Sequence, residues 1–337
     1  MRHTLLLCIA AFLSAALVLV DASGQARELR VGIIGLDTSH SIEFAKILND
    51  PQAAPDVAGC RVVAAYPKGS ADIVSSASRI PKYTEEIKKM GIEVVASIAE
   101  LLPKVDVVLL ETNDGRPHLE QAKAVLKAGK PMFIDKPVAG SLADAVAIFS
   151  AARQYRVPVF SSSSLRYMKG AQAVRGGAIG AVVGADAYGP ATLEPTHPDL
   201  FWYGIHGVEA LFTVMGTGCE RVVRVNTAGA DVVVGTWKGG RVGTFRGLRE
   251  GHKGYGGTAF GSEAIAPLGP YENYRPLLAE IVRFFRTGVA PVSPEETLEI
   301  YAFMEAADES KRHGGVPVTI ASVMSKAEQA ARERAAN

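Results

Sequence analysis

The sequence predicts an α/β protein: a doubly wound parallel sheet in the N-terminal half, then an α/β unit with a large, mostly antiparallel open sheet. Three observations carry this. Short runs rich in Val and Ile alternate with helical patterns from residue 29 to residue 160. Past about residue 180 the texture shifts to strand-like segments divided by glycine turns. The chain has 337 residues, 48% of them hydrophobic and 21% charged, which suits two folded units rather than a disordered chain.

The apolar runs are Leu29–Ile34, Arg61–Tyr66, Val105–Leu110, Pro131–Ile134 and Val157–Ser161. Helical patterns lie between them at Ser41–Asn49, Pro117–Ala128 and Leu142–Gln154. Gly129 caps the middle helix and Pro131 stops it. Such alternation builds parallel sheets, and continuously apolar strands fit burial on both faces. In the second half, Val182–Ala187, Arg221–Asn226, Asp231–Thr236 and Arg241–Arg246 read as strands, with turns such as Lys238-Gly239-Gly240. Leu248–Ser262 is rich in Gly and is expected to be a mobile loop over a cleft. Helices Arg275–Arg286 and Pro294–His313 follow. The expected divisions are a leader at 1–26, a first domain at 27–155, a second at 156–325 and a polar tail at 326–337.

The leader reads as an export signal. Arg2 and His3 are positive, Leu5 through Val20 is apolar, and small residues cluster at Ala22, Ser23, Gly24 and Ala26, where a signal peptidase cuts. The alternative is an uncleaved membrane anchor. There is no twin arginine, so the expected route is general secretion to the periplasm or beyond, with no stable membrane association after cleavage. Cys60 and Cys219 fall in different predicted domains and are expected to be two buried thiols. The formal charge of +1 carries no electrostatic footprint for nucleic acid.

Arg30-Val31-Gly32-Ile33-Ile34-Gly35-Leu36-Asp37-Thr38-Ser39-His40 opens like a dinucleotide-binding turn. An apolar strand runs into Gly35 and a helix follows. The fingerprint of the Rossmann-type sheet wants glycine again two and five residues later, where Asp37 and His40 stand. Gly32, Gly35, Asp37, Thr38, Ser39 and His40 are thus the candidates for cofactor contact. A carboxylate about 4 Å from a pyrophosphate is repelled by roughly 1–4 kcal/mol. Asp37, Thr38 and Ser39 also read as a helix N-cap cluster. In a third reading Asp37 and His40 are polar ligands for a sugar hydroxyl, or for a divalent metal on which Glu111, His118, His206 and Glu209 also converge. The spacing establishes no metal site, and none is assigned.

Further along stand Asn113–His118 opening a helix, Ala128-Gly129-Lys130-Pro131-Met132-Phe133-Ile134-Asp135-Lys136-Pro137, Gly204-Ile205-His206, and Glu305-Ala306-Ala307 before Ser310. In this order, on this strand–helix pattern, the chain resembles the Gfo/Idh/MocA family, named for glucose-fructose oxidoreductase and inositol dehydrogenase. The family shows Glu-Lys-Pro where this chain has Asp135-Lys136-Pro137. The resemblance implies a Rossmann-type domain carrying NAD or NADP, a second domain offering the substrate face, and a homo-oligomer. It implies that Lys136 lies near nicotinamide and substrate and that His206 exchanges a proton with the substrate hydroxyl. Asp135, His118, Glu209 and Trp202 are the substrate-side candidates, although His118 also suits a role in capping its helix. Alcohol oxidation needs a base for the hydroxyl proton and a cation for the developing alkoxide, which histidine and lysine supply.

Two further positions depart from the family. Tyr66-Pro67-Lys68-Gly69-Ser70 lacks an acid for the adenosine ribose, while Lys68 and Ser70 suit the 2′-phosphate of NADP. Trp202 stands four residues before His206, where the family usually has Asp. Three functions remain open at this point. The first is an exported NAD(P) oxidoreductase acting on a sugar or polyol. The second is a nucleotide-independent carbohydrate lyase or hydrolase, with or without a metal. The third is a saccharide-binding protein without turnover, for which Trp202, Tyr203, Tyr255 and Tyr271 offer stacking faces.

Overall fold

A computed structural model describes residues 27–336. The expected export signal lies outside the described residues. Among those residues no helix is long and apolar enough to cross a membrane.

The chain begins β1 (Leu29–Ile34), α1 (Ser39–Leu48), β2 (Cys60–Tyr66), α2 (Val74–Lys89), β3 (Glu93–Val94), α3 (Ile98–Leu101), β4 (Val107–Leu110), α4 (His118–Lys127), β5 (Met132–Ile134), α5 (Leu142–Tyr155) and β6 (Val159–Ser161). The six strands form one parallel sheet in the order β3-β2-β1-β4-β5-β6. The chain direction of assembly reverses between β1 and β4. That is the switch point, beyond whose carboxyl ends ligands bind in such sheets. The sheet is covered on both faces, so Val31, Ile33, Ile34 and all of β4 are buried.

The second half continues with α6 (Lys169–Arg175), β7 (Val182–Pro190), α7 (Asp199–Trp202), α8 (Gly204–Met215), β8 (Cys219–Asn226), β9 (Ala230–Trp237), β10 (Val242–Leu248), β11 (Gly256–Gly261), β12 (Ile265–Pro267), α9 (Arg275–Thr287), α10 (Pro294–Arg312), β13 (Val318–Thr319) and α11 (Ile320–Ala336). Seven strands form an open sheet in the order β12-β11-β7-β10-β9-β8-β13. Only the β7–β10 pair is parallel. Every residue of α8 is buried, as its apolar composition on all sides demands.

The α/β class and both sheets stand as read from the sequence. Cys60 and Cys219 are free and buried, and burial pushes each thiol up to about 12. Several short elements went unmarked, among them β3, β12 and β13, and three longer segments differ. The sequence marked no element at α2, because only Ser76 and Ile87 of it are buried and Pro81 lies inside it. The glycine-rich stretch read as one long loop contains β11, which pairs with β7; at Gly257 a Cβ would stand 2.3 Å from the Asp186 carbonyl oxygen, so glycine permits the close pairing. Residues 326–336, read as a polar tail, are the second half of α11, whose Val323, Ala327 and Ala331 are buried at four-residue spacing.

The two sheets share their packing. Helix α9 follows β12 of the second sheet in sequence but docks on the first sheet. Its Leu277, Leu278, Ile281, Val282 and Phe284 join one core with Val31, Phe44, Phe133 and Phe160. The Phe160 and Phe284 rings meet edge to face at 4.8 Å. Truncating Ile281→Ala inside this core is expected to lower the unfolding free energy by about 2–5 kcal/mol, read as a lower urea midpoint at unchanged m value.

Candidate active site

Gly35 ends β1 with φ +92, and a Cβ there would lie 2.4 Å from the Thr112 backbone nitrogen. Only glycine fits this turn. The next residues form the start of α1. Thr38 is its N-cap: its Oγ1 accepts from the Ser41 N–H at 3.4 Å, and the Ser41 hydroxyl donates to the Thr38 carbonyl at 2.8 Å. Asp37 turns inward. Its carboxylate is fully buried and accepts from the Ser76 hydroxyl at 2.6 Å and the Asn113 N–H at 3.0 Å. Gly69 makes room for it, since a Cβ there would lie 2.3 Å from Asp37 Oδ2. Burial raises the Asp37 pKa. Asp37 therefore ties the β1–α1 turn to α2 and to the β4–α4 connection, and does not face the cleft as the cofactor reading expected.

A cleft of about 710 Å³ opens at the switch point, within the usual range for ligand sites. Thr38, Ser39 and His40 line it at the start of α1, with Arg79 beside them. Lys136, after β5, and His206, on α8, line the same cleft. The Lys136 ammonium lies 6.0 Å over the Tyr203 ring. His206 Nδ1 and Ser163 Oγ are 2.7 Å apart, and the imidazole packs between Tyr203 and Tyr255 at 6.0 and 5.8 Å. Burial, then the Lys136 and His40 charges, hold the His206 pKa well below its ordinary value.

The floor of the cleft is polar and buried. His40 Nδ1 meets Asp135 Oδ2 at 2.9 Å, with the ring stacked on Phe44 and edge-on to Tyr274. Asp135 ends β5 and Glu111 ends β4, both without exposure. Burial works to raise Asp135, but His40 and Lys136 hold it below the usual carboxylate range. Glu111 is pushed well above that range, first by burial and then by Asp135.

Several candidates lie elsewhere. His118 is fully buried, with Nε2 2.8 Å from the Thr112 carbonyl and Nδ1 3.2 Å from that of Val138; it anchors backbone at the start of α4 and does not line the cleft. Glu209 accepts from Arg166 Nε at 2.7 Å and from the Ser162 hydroxyl at 2.6 Å, inside a buried network that includes Glu296. Its helical spacing from His206 does not bring it to the cleft. Gly32 sits within β1, where a Cβ would press on Leu101 at 2.6 Å, so it serves strand packing rather than a cofactor. Ser70 donates to Asp114. Trp202 does line the cleft. Sequence reasoning missed Ser163 and Arg79. The run Ser161-Ser162-Ser163-Ser164 at the end of β6 was a usable signal for the first; nothing local marked the second.

A parallel sheet with a switch-point cleft, roofed by a second sheet domain, defines a Rossmann-type oxidoreductase fold. Residues 29–163 match the model of GFO_IDH_MocA, the oxidoreductase family with an NAD-binding Rossmann fold. The whole described chain is similar to solved structures. One is myo-inositol dehydrogenase from Lactobacillus casei in complex with NAD(H) and myo-inositol, with TM-score 0.68, 16% identity, and 86% of this chain and 96% of that one covered. A second is an oxidoreductase from Agrobacterium radiobacter in complex with NAD+, L-tartaric acid and magnesium, at TM-score 0.68, 16% identity and coverages of 88% and 99%. A third is scyllo-inositol dehydrogenase from Lactobacillus casei, at TM-score 0.67, 17% identity and coverages of 88% and 99%. At these identities the likeness is one of fold. No curated protein matches the sequence.

Replacing Asp37→Ala strands the Ser76 hydroxyl and the Asn113 N–H. The expected cost is about 1–3 kcal/mol of stability in chemical denaturation, with Asp37→Asn closer to wild type.

Proposed function

We propose that the protein is an exported oxidoreductase that interconverts a hydroxyl of a sugar or polyol with the corresponding ketone, using NAD or NADP. The observation that carries this reading is the presence of Lys136 and His206 on the walls of one cleft at the switch point. The family match over residues 29–163 and the similarity to inositol dehydrogenase folds support the same chemistry. Export rests on the leader pattern of residues 2–26.

The residues present fit a dinucleotide. The diphosphate would be held by the start of α1 at Thr38, Ser39 and His40, where backbone N–H groups and the helix dipole favour an anion, with the Arg79 guanidinium alongside. The inward turn of Asp37 removes the repulsion its position suggested. A bound nicotinamide would supply the acceptor for the hydride of the carbinol carbon.

The rest is the work of this chain. His206 is kept neutral by burial and by its cationic neighbours, so it is ready to take the hydroxyl proton. With Nδ1–H donating to the Ser163 oxygen, Nε2 keeps its lone pair for the substrate. The Lys136 ammonium steadies the developing alkoxide. Trp202, Tyr203 and Tyr255 narrow the cleft and offer faces to a sugar ring.

Turnover of a panel of inositols and sugars with NAD and NADP tests the proposal. Lys136→Ala and His206→Asn are each expected to lower kcat/KM by about 10²–10⁴-fold. Because the neutral imidazole is the active form and its pKa is depressed, activity is lost only as pH falls through a value below 6.5. Unchanged turnover in both variants on a confirmed substrate would overturn the assignment.

A further inference from the structure

We propose that His40, Glu111 and Asp135 form a binding site for one divalent transition-metal cation at the floor of the cleft. The three come from the start of α1 and the carboxyl ends of β4 and β5, which the β1-β4-β5 order brings side by side. One ligand atom from each lies within 4.8 Å of the other two.

The second observation is that three of the four carboxylate oxygens are unanswered. Both oxygens of Glu111 and Oδ1 of Asp135 are buried with no hydrogen-bond partner among the described residues. Native structures rarely leave such atoms orphaned, and an ionised carboxylate cut off from water and donors needs a cation beside it. Here the orphaned Glu111 carboxylate shares one small space with an imidazole and a second carboxylate.

The geometry suits a metal. His40 Nδ1 and Asp135 Oδ2 are 2.9 Å apart. Neighbouring ligands on bonds of about 2.1 Å stand roughly 3.0–3.4 Å apart in octahedral or tetrahedral shells. The His40–Asp135 pair already stands close to that spacing, with Glu111 within 4.8 Å. Phe44 and Tyr274 already fix the plane of the His40 ring. His40 and Asp135 line the cleft, so the side facing Lys136 is left for water or a substrate oxygen. One imidazole with two carboxylates mixes the ligand types preferred by Zn2+ and Mn2+, and these are the ions the site would take. The site does not depend on the nucleotide reading.

The test uses the full chain, stripped with a chelator and free of nucleotide, titrated with Mn2+ by electron paramagnetic resonance and with Zn2+ by calorimetry. The expected result is one equivalent per chain and a rise in Tm. Glu111→Gln, close in shape, should weaken binding by at least about 100-fold, as should His40→Gln. The metal-free melting temperature of each variant reports its folding separately. If wild type takes up neither ion, Glu111 is a buried neutral acid and the proposal is wrong. Wild-type affinity in both variants would overturn it equally. Neither result bears on nucleotide binding, which is measured in its own titration.

Discussion

Charge buried at the carboxyl edge of the parallel sheet is the constraint on which the site depends. Asp37, Glu111 and Asp135 have no exposure there. A buried carboxylate is costly unless donors or cations answer it. Asp37 finds its donors on α2 and on the β4–α4 connection. Asp135 finds His40 on α1. These contacts reach across the sheet, so they fix α1, α2, β4 and β5 relative to one another around the switch point. Tyr274, at the start of α9, then closes over the His40 ring. A helix set in sequence between two strands of the second sheet thereby becomes part of the first domain's wall.

The same constraint explains how a dinucleotide turn survives with two of its glycines replaced. The first glycine is indispensable, because Gly35 has φ +92 against the Thr112 backbone. At the second position the side chain swings away from the cleft into a pocket that Gly69 leaves open. At the third, His40 points toward the ends of β4 and β5 and finds a carboxylate partner. The start of α1 still opens on the cleft. The altered side chains therefore leave the start of α1 open to the cleft, as the proposed anion seat requires.

Much of the fold was legible. The alternation of Val/Ile runs with helical patterns follows directly from burying a parallel sheet on both faces, and Asp135-Lys136-Pro137 marked the end of one strand. What escaped was structure whose signal is tertiary. Helix α2 buries little and carries Pro81, so periodicity did not mark it. The glycines of β11 serve close strand pairing and read as loop. In the site, Lys136 and His206 were found and do share a cleft. Glu209, named for its helical spacing from His206, and His118, named from the resemblance, do not line the cleft, because neither signal tells which face of a helix meets it. Glu111 and His40 were noted as candidate ligands, but in a set with His118, His206 and Glu209. Their actual neighbour, Asp135, emerges only from the order of strands in the sheet.

The central claim is that the remodelled turn keeps its anion seat while Asp37 faces inward. A crystal structure of the protein grown with NADH tests it most directly. The account predicts a diphosphate against the backbone N–H groups at Thr38–His40, with Asp37 still bonded to Ser76 and Asn113. A nucleotide-saturated crystal whose cleft is filled by an outward-turned Asp37 carboxylate, with no diphosphate over α1, would contradict it.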